Sequence, residues 1–163
     1  MPDSRHTFTV SFDKGCAPCH TTADAAARLT SVKDDILNRL LSLRTKLDAW
    51  AQQAFANPLF WEYTTNITAE GFTPPSQASV PLPIKRARHN YYFVIRSGDY
   101  GAHNAPYAKH LLTVAEQQVD SVVSDGRSFT ANPYVGLTTQ QKLAIIEADR
   151  ARARKADMKE LDN

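Results

Sequence analysis

Two cysteines three positions apart, with a histidine directly after the second, form the string Cys16-Ala17-Pro18-Cys19-His20. Two thiols at this spacing can each add across a vinyl group of one haem, and the next residue, His20, then falls under the iron as proximal ligand. A five-residue string is short, but these are the only two cysteines in the chain, which raises its weight. Three other chemistries use related residues. Cys16 and Cys19 fit the C-x-P-C spacing of a thioredoxin-like thiol–disulfide oxidoreductase, with Cys16 as nucleophile. HTFTVSF at 6–12 would then be the strand before the motif and SVPLPI at 79–84 its proline loop, yet no tryptophan precedes Cys16 and no hairpin signal follows the prolines. A structural zinc site needs four ligands, which two cysteines and scattered histidines supply poorly. Two inert buried thiols are the remaining reading. The expectation is one covalent haem c held by Cys16 and Cys19, with His20 on the iron.

A haem iron with one histidine either keeps an open site or takes a second side chain. Methionine is a poor candidate, because Met1 is the terminus and Met158 sits in a polar terminal segment. His103 lies in GDYGAHNAPYAKHLL, after a glycine-containing turn and just before a helix start, where an imidazole can be aimed at a metal. His89 stands among Lys85, Arg86 and Arg88, a basic cluster that reads as a solvated helix face or as partners for haem propionates. His110, seven residues after His103, reads as a surface or packing residue. Tyr91, Tyr92, Phe93 and Tyr100 either wall a haem or are ordinary core aromatics.

The elements that must position these residues are mostly helical. Phe8, Val10 and Phe12 alternate with polar neighbours, which predicts a short strand or extended arm over 6–12, followed by a turn at Asp13-Lys14-Gly15. Leu29, Val32, Ile36, Leu40, Leu43, Leu47 and Trp50 recur every three or four residues, and Leu37 and Leu41 widen the row. This predicts a helix over 23–56, capped by Thr21 or Thr22 and stopped at Asn57-Pro58. Arg39, Arg44 and Lys46 fall off the stripe, as solvated positions should. Residues 58–84, with prolines at 74, 75, 81 and 83, read as an irregular aromatic- and proline-rich crossover. A second helix is expected near Lys85, although YYFVI also suits a strand. Asn104 and Pro106 open a third, ending before Asp125-Gly126, and Thr138 or Thr139 opens a last one. The expected fold is mostly α: long helices around one covalent haem, with a haem-binding domain over 1–125 and a loop and helical extension over 126–163.

Residues 89–112, HNYYFVIRSGDYGAHNAPYAKHLL, resemble the C-terminal part of multihaem c-type cytochromes, a group that includes pentahaem nitrite reductases and their octahaem relatives. There a helix ends in a small-residue turn, and G-x-H-N-P-x-Y or a near relative opens the next helix, which ends in Leu-Leu. The likeness spans about residues 6–115 and includes H-x-F-x-V before CAPCH. It implies that His20 is the proximal ligand, that His103 is the distal-ligand histidine, and that His6 matches a histidine that often ligates a neighbouring haem. Two departures bear on function. The chain has one C-x-x-C-H where the family has several, and it has no C-x-x-C-K, so nitrite reduction is not carried over. The resemblance carries over a haem-binding domain and no enzymatic activity, which reads as an electron carrier or as a subunit or fragment of a multihaem oxidoreductase.

The wider composition sets bounds on partners. Apolar residues at 42% and charged residues at 22% are ordinary for a globular protein, and a net charge of +2 gives no global signal for nucleic acid. No apolar run approaches the ~20 residues of a transmembrane helix. MPDSRHTF lacks the apolar core of a secretory signal. Haem attachment normally follows export, so the expectation is a mature or excised piece of a periplasmic or extracellular protein. One haem per chain implies a redox partner, neighbouring haem subunits, a homo-oligomer or a filament. A haem sensor with an exchangeable sixth site is the rival within haem proteins.

Overall fold

A computed structural model describes residues 19–63, 76–123 and 134–161, the last eight through their backbone alone. The predicted arm at 6–12, with His6, and the first cysteine, Cys16, lie outside the described residues.

The helix expected over 23–56 is α1, Thr22–Phe55. The Thr21 hydroxyl oxygen accepts the Asp24 N–H at 3.1 Å, which caps an otherwise orphan donor of the first turn. At the other end Ala56 adopts a left-handed φ of 55°, and its N–H returns to the Gln52 carbonyl at 2.9 Å before Asn57-Pro58. After a 3-10 turn at Gln77–Ser79, α2 runs over Leu82–Ser97. It starts three residues before Lys85 because Pro81 serves as N-cap and Pro83 sits in the first turn, where a missing N–H costs nothing. YYFVI is helical: Tyr91, Tyr92, Val94 and Ile95 are buried while Phe93 points outward. α3 spans Ala105–Val122, with the Asn104 side chain accepting the Tyr107 N–H. α4 spans Thr139–Leu161. Thr138 and Gln141 form a reciprocal cap, the Thr138 N–H donating to Gln141 Oε1 and the Gln141 N–H to Thr138 Oγ1.

Cross-helix pairs fix the directions. Asp35–Lys109, Arg39–Glu116 and Lys46–Asp120 advance together along α1 and α3, so these two run parallel. Asp34–Lys142 and Arg44–Asp149 do the same for α1 and α4. α2 and α3 form an antiparallel hairpin, closed by the turn at 98–104 and laced by Asn90 Nδ2 donating to the Leu111 carbonyl at 3.1 Å. The core lies along the second half of α1. Ile36, Leu37, Leu40, Leu41, Leu43 and Leu47 are fully buried there, against Ile84 and Ile95 of α2, Leu112 and Val119 of α3, and Ile146 of α4. Each such side chain contributes about 1.5–3 kcal/mol by leaving water. Among the described residues there is no strand, and no helix is long and apolar enough to cross a membrane.

Candidate functional site

The first ten residues of α1 bury little beyond Ala25, so the head of this helix stands clear of the main core. Cys19 and His20 precede the Thr21 cap and are both exposed; Cys19 is a free thiol. Ala25, Leu29 and Val32, spaced four and three residues apart, continue the apolar face of α1 down from them.

That face meets the turn that carries His103. Gly98, Tyr100 and Gly101 all take left-handed φ values, 68°, 48° and 86°. Gly101 has no spare room: a Cβ there would lie 3.2 Å from Val32 Cγ1 and 3.3 Å from Ile36 Cγ1. Tyr100 is buried beside it, with its hydroxyl bonded to Glu147. The turn is thus clamped onto α1 at Val32 and Ile36.

Within the turn, Asp99 organises the backbone. One carboxylate oxygen accepts the Gly101 N–H at 3.1 Å and the Ser97 hydroxyl at 2.9 Å. The other accepts the His103 N–H at 3.4 Å and faces His103 Nδ1 at 3.1 Å. Partial burial pushes the Asp99 carboxyl up, but the donors from Gly101, Ser97 and His103 outweigh it and hold the group below the usual carboxylate range. A neutral His103 that donates from Nδ1 to Asp99 has its lone pair on Nε2, one of the two nitrogens through which histidine can bind a metal. The ring is 46% exposed.

α1 serves as a ruler between the two histidines. His20 precedes Val32 by twelve residues, roughly 18 Å along the axis at 1.5 Å per residue. Among the described residues no three His, Cys, Asp or Glu side chains are grouped to hold a bare metal ion.

The remaining sequence candidates separate. His110 is exposed on α3, and His89 is exposed on α2, nine residues before Gly98. Arg88 does not share the solvated face expected of Lys85, Arg86 and Arg88. It is 4% exposed, its Nη1 donates to the carbonyls of Trp61 and Glu62 and to Gln77 Oε1, and it stacks 4.0 Å over the Tyr63 ring. Tyr91, Tyr92 and Tyr100 are core residues, while Phe93 alone of the four aromatics is half exposed. No family model, curated protein or solved structure matches this chain.

Sequence reasoning missed a buried ionic network behind the site. Asp149, 1% exposed, accepts from Tyr91 Oη at 2.6 Å, Arg44 Nη1 at 2.9 Å and Arg152 Nη2 at 2.8 Å. Glu62, equally buried, takes Arg152 at 2.9 Å and Tyr92 Oη at 2.9 Å. Burial pushes the Glu62 carboxyl up, against the opposing pull of Arg152. Burial and the neighbouring Asp149 carboxylate push the Tyr91 hydroxyl well above its ordinary range. Arg44, expected in solvent off the α1 stripe, instead ties α1 to α4. Asp99 is a second omission, whose sequence signal is an Asp two residues ahead of a turn glycine.

Proposed function

We propose that this chain is a c-type cytochrome domain that carries one covalent haem and passes electrons, with His20 and His103 as the two axial ligands. The observation that carries the reading is the Asp99–His103 contact. It favours the Nδ1–H tautomer, with Nε2 left for a metal, in a histidine on a turn packed against the same helix that follows Cys19 and His20.

The donor set fits a haem c. Cys19 presents an exposed thiol, Thr21 fixes where His20 leaves the helix, and Ala25, Leu29 and Val32 offer an apolar wall below it. Cys16 completes the attachment motif in sequence. When bound, the haem supplies a one-electron iron couple. The chain's own part is to hold two neutral imidazoles through both oxidation states, which favours a lower potential than a His/Met pair. Asp99 keeps the His103 ring from rotating, and the clamp on Gly101 keeps the turn from receding. The same chemistry agrees with the multihaem resemblance, a site outside the cytoplasm, and a redox partner or neighbouring haem subunit.

Carbon monoxide tests the axial assignment. Reduced protein with both histidines on the iron resists the gas, whereas ready binding by the wild type would favour a sensor with an open site.

A further inference from the structure

All three buried tyrosines among the described residues donate a hydrogen bond to a carboxylate: Tyr91 to Asp149 at 2.6 Å, Tyr92 to Glu62 at 2.9 Å, and Tyr100 to Glu147. Trp61, fully buried, does the same through its indole N–H, to Asp48 at 2.6 Å. Three of these four rings touch. The centroids of Tyr91 and Tyr92 are 5.4 Å apart, and Trp61 lies 5.6 Å from Tyr91 and 6.0 Å from Tyr92. Tyr63 adds one more ring, 5.6 Å from Tyr92. It is half-buried, and with Tyr92 it lines a surface cavity of about 390 Å³. A chain of rings thus leads from solvent into the core, and Tyr92 is the one that meets all the others.

A phenol gives up an electron far more readily when a base stands ready for its proton, because the oxidised phenol is a strong acid. Glu62 is well placed as that base. Burial pushes its carboxyl up, against the pull of Arg152, so it takes a proton more readily than an ordinary carboxylate. Asp149, beside Tyr91, is engaged by two guanidinium groups, Arg44 and Arg152. The Arg88 guanidinium lies 4.0 Å over the Tyr63 ring, which makes positive charge there costly, while the exposed Arg96 lies farther from Tyr92, at 5.9 Å. An electron vacancy that enters at Tyr63 therefore moves inward to Tyr92. We propose that Tyr92 is a redox-active tyrosine, oxidised through Tyr63 by a one-electron oxidant in solution, such as an oxidising organic radical, with Glu62 as its proton acceptor. The oxidant gains the electron, the phenol O–H bond breaks, and the proton passes to a Glu62 carboxylate oxygen. A neutral tyrosyl radical and a neutral carboxylic acid remain. An electron from a one-electron donor, with the proton returned by Glu62, restores the pair.

This step does not depend on haem and is tested in the full chain, with any haem held ferric. A photogenerated ruthenium(III) polypyridyl complex serves as oxidant, and electron paramagnetic resonance reads the radical. A long-lived tyrosyl signal should appear, and it should form more slowly in deuterated water. Tyr92→Phe, which keeps the ring and loses only the hydroxyl, should remove most of that signal. Glu62→Gln can still accept from Tyr92 but cannot take its proton, and should slow radical formation about 100-fold. Tyr107→Phe removes an exposed phenol outside the cluster and should leave the signal unchanged. Circular dichroism checks that each variant is folded; if Glu62→Gln is not, the isotope effect in the wild type reads the proton step instead. A signal that survives Tyr92→Phe, a wild-type rate in folded Glu62→Gln, or no isotope effect overturns the proposal.

Discussion

Asp99 Oδ2 faces His103 Nδ1 at 3.1 Å, while the other oxygen of the same carboxylate accepts the Gly101 N–H at 3.1 Å. One side chain therefore sets both the shape of the turn and the orientation of the imidazole it delivers. Such outer partners are worth roughly 10–100-fold in metal affinity. Asp99→Asn should leave covalent haem in place, loosen the distal ligand and increase carbon monoxide binding by reduced protein about 10-fold or more. The reduction potential should rise, because the lost carboxylate no longer makes the imidazole a stronger donor to ferric iron. An unchanged potential and unchanged gas binding would remove Asp99 from the account.

His103→Ala should have the larger effect on the same readout. The covalent haem count stays at one, and the reduced protein becomes an avid binder of carbon monoxide. His110→Ala, on the exposed face of α3, should behave as wild type. If His6→Ala opens the iron and His103→Ala does not, the distal ligand is His6.

Asp149 tests the ionic network independently of any haem. Removing it takes a carboxylate from the buried Tyr91 hydroxyl, from the largely buried Arg44 and from the half-buried Arg152, which keeps Glu62. Loss of one partner from such a buried set costs about 3–5 kcal/mol, a large share of the roughly 5–15 kcal/mol that holds a domain together. Urea unfolding of Asp149→Ala should show this loss, and Asp149→Asn a smaller one. A change under about 1 kcal/mol would mean that water reaches the network and solvates what remains.

The outline of α1 was legible because three local signals agree: a wide apolar stripe, Thr21 at its head and Asn57-Pro58 at its foot. The start of α2 was not, since Pro81 and Pro83 read as breakers although the first helical turn accepts them. Local pattern failed most clearly at Arg44 and Arg88. Periodicity assigns a charged residue off the stripe to solvent, but Arg44 meets Asp149 from 105 residues away, and Arg88 meets carbonyls 26 and 27 residues back. Such partners exist only once the helices are packed. His103 stood out through its glycine turn and Asn cap, whereas the grip of Asp99 on its ring is a matter of three-dimensional turn geometry. The expected arm bearing His6 lies outside the described residues.

Asp48 gives the bundle a distinct pH response. Burial pushes its carboxyl up to about 6, against the lowering pull of the Trp61 N–H and Arg44. In the unfolded chain the group titrates near 3.9, so the folded state holds the proton more tightly. This contribution to stability is complete below roughly pH 4 and is lost as pH rises through about 6. Asp48→Asn removes the titration and keeps an acceptor for Trp61. The unfolding free energy of wild type minus that of Asp48→Asn should therefore fall between roughly pH 4 and pH 6. A difference that stays flat or rises would show that Asp48 is ionised and well paired in the fold.

Covalent attachment of haem through Cys16 and Cys19 is tested most directly by the mass of the denatured full chain. Produced in a host that matures c-type cytochromes, the chain should gain the mass of one haem and stain for haem on a denaturing gel. Cys16→Ala combined with Cys19→Ala should abolish both signals. A chain recovered from that host at its bare polypeptide mass, or a double variant that keeps haem through denaturation, would contradict the account.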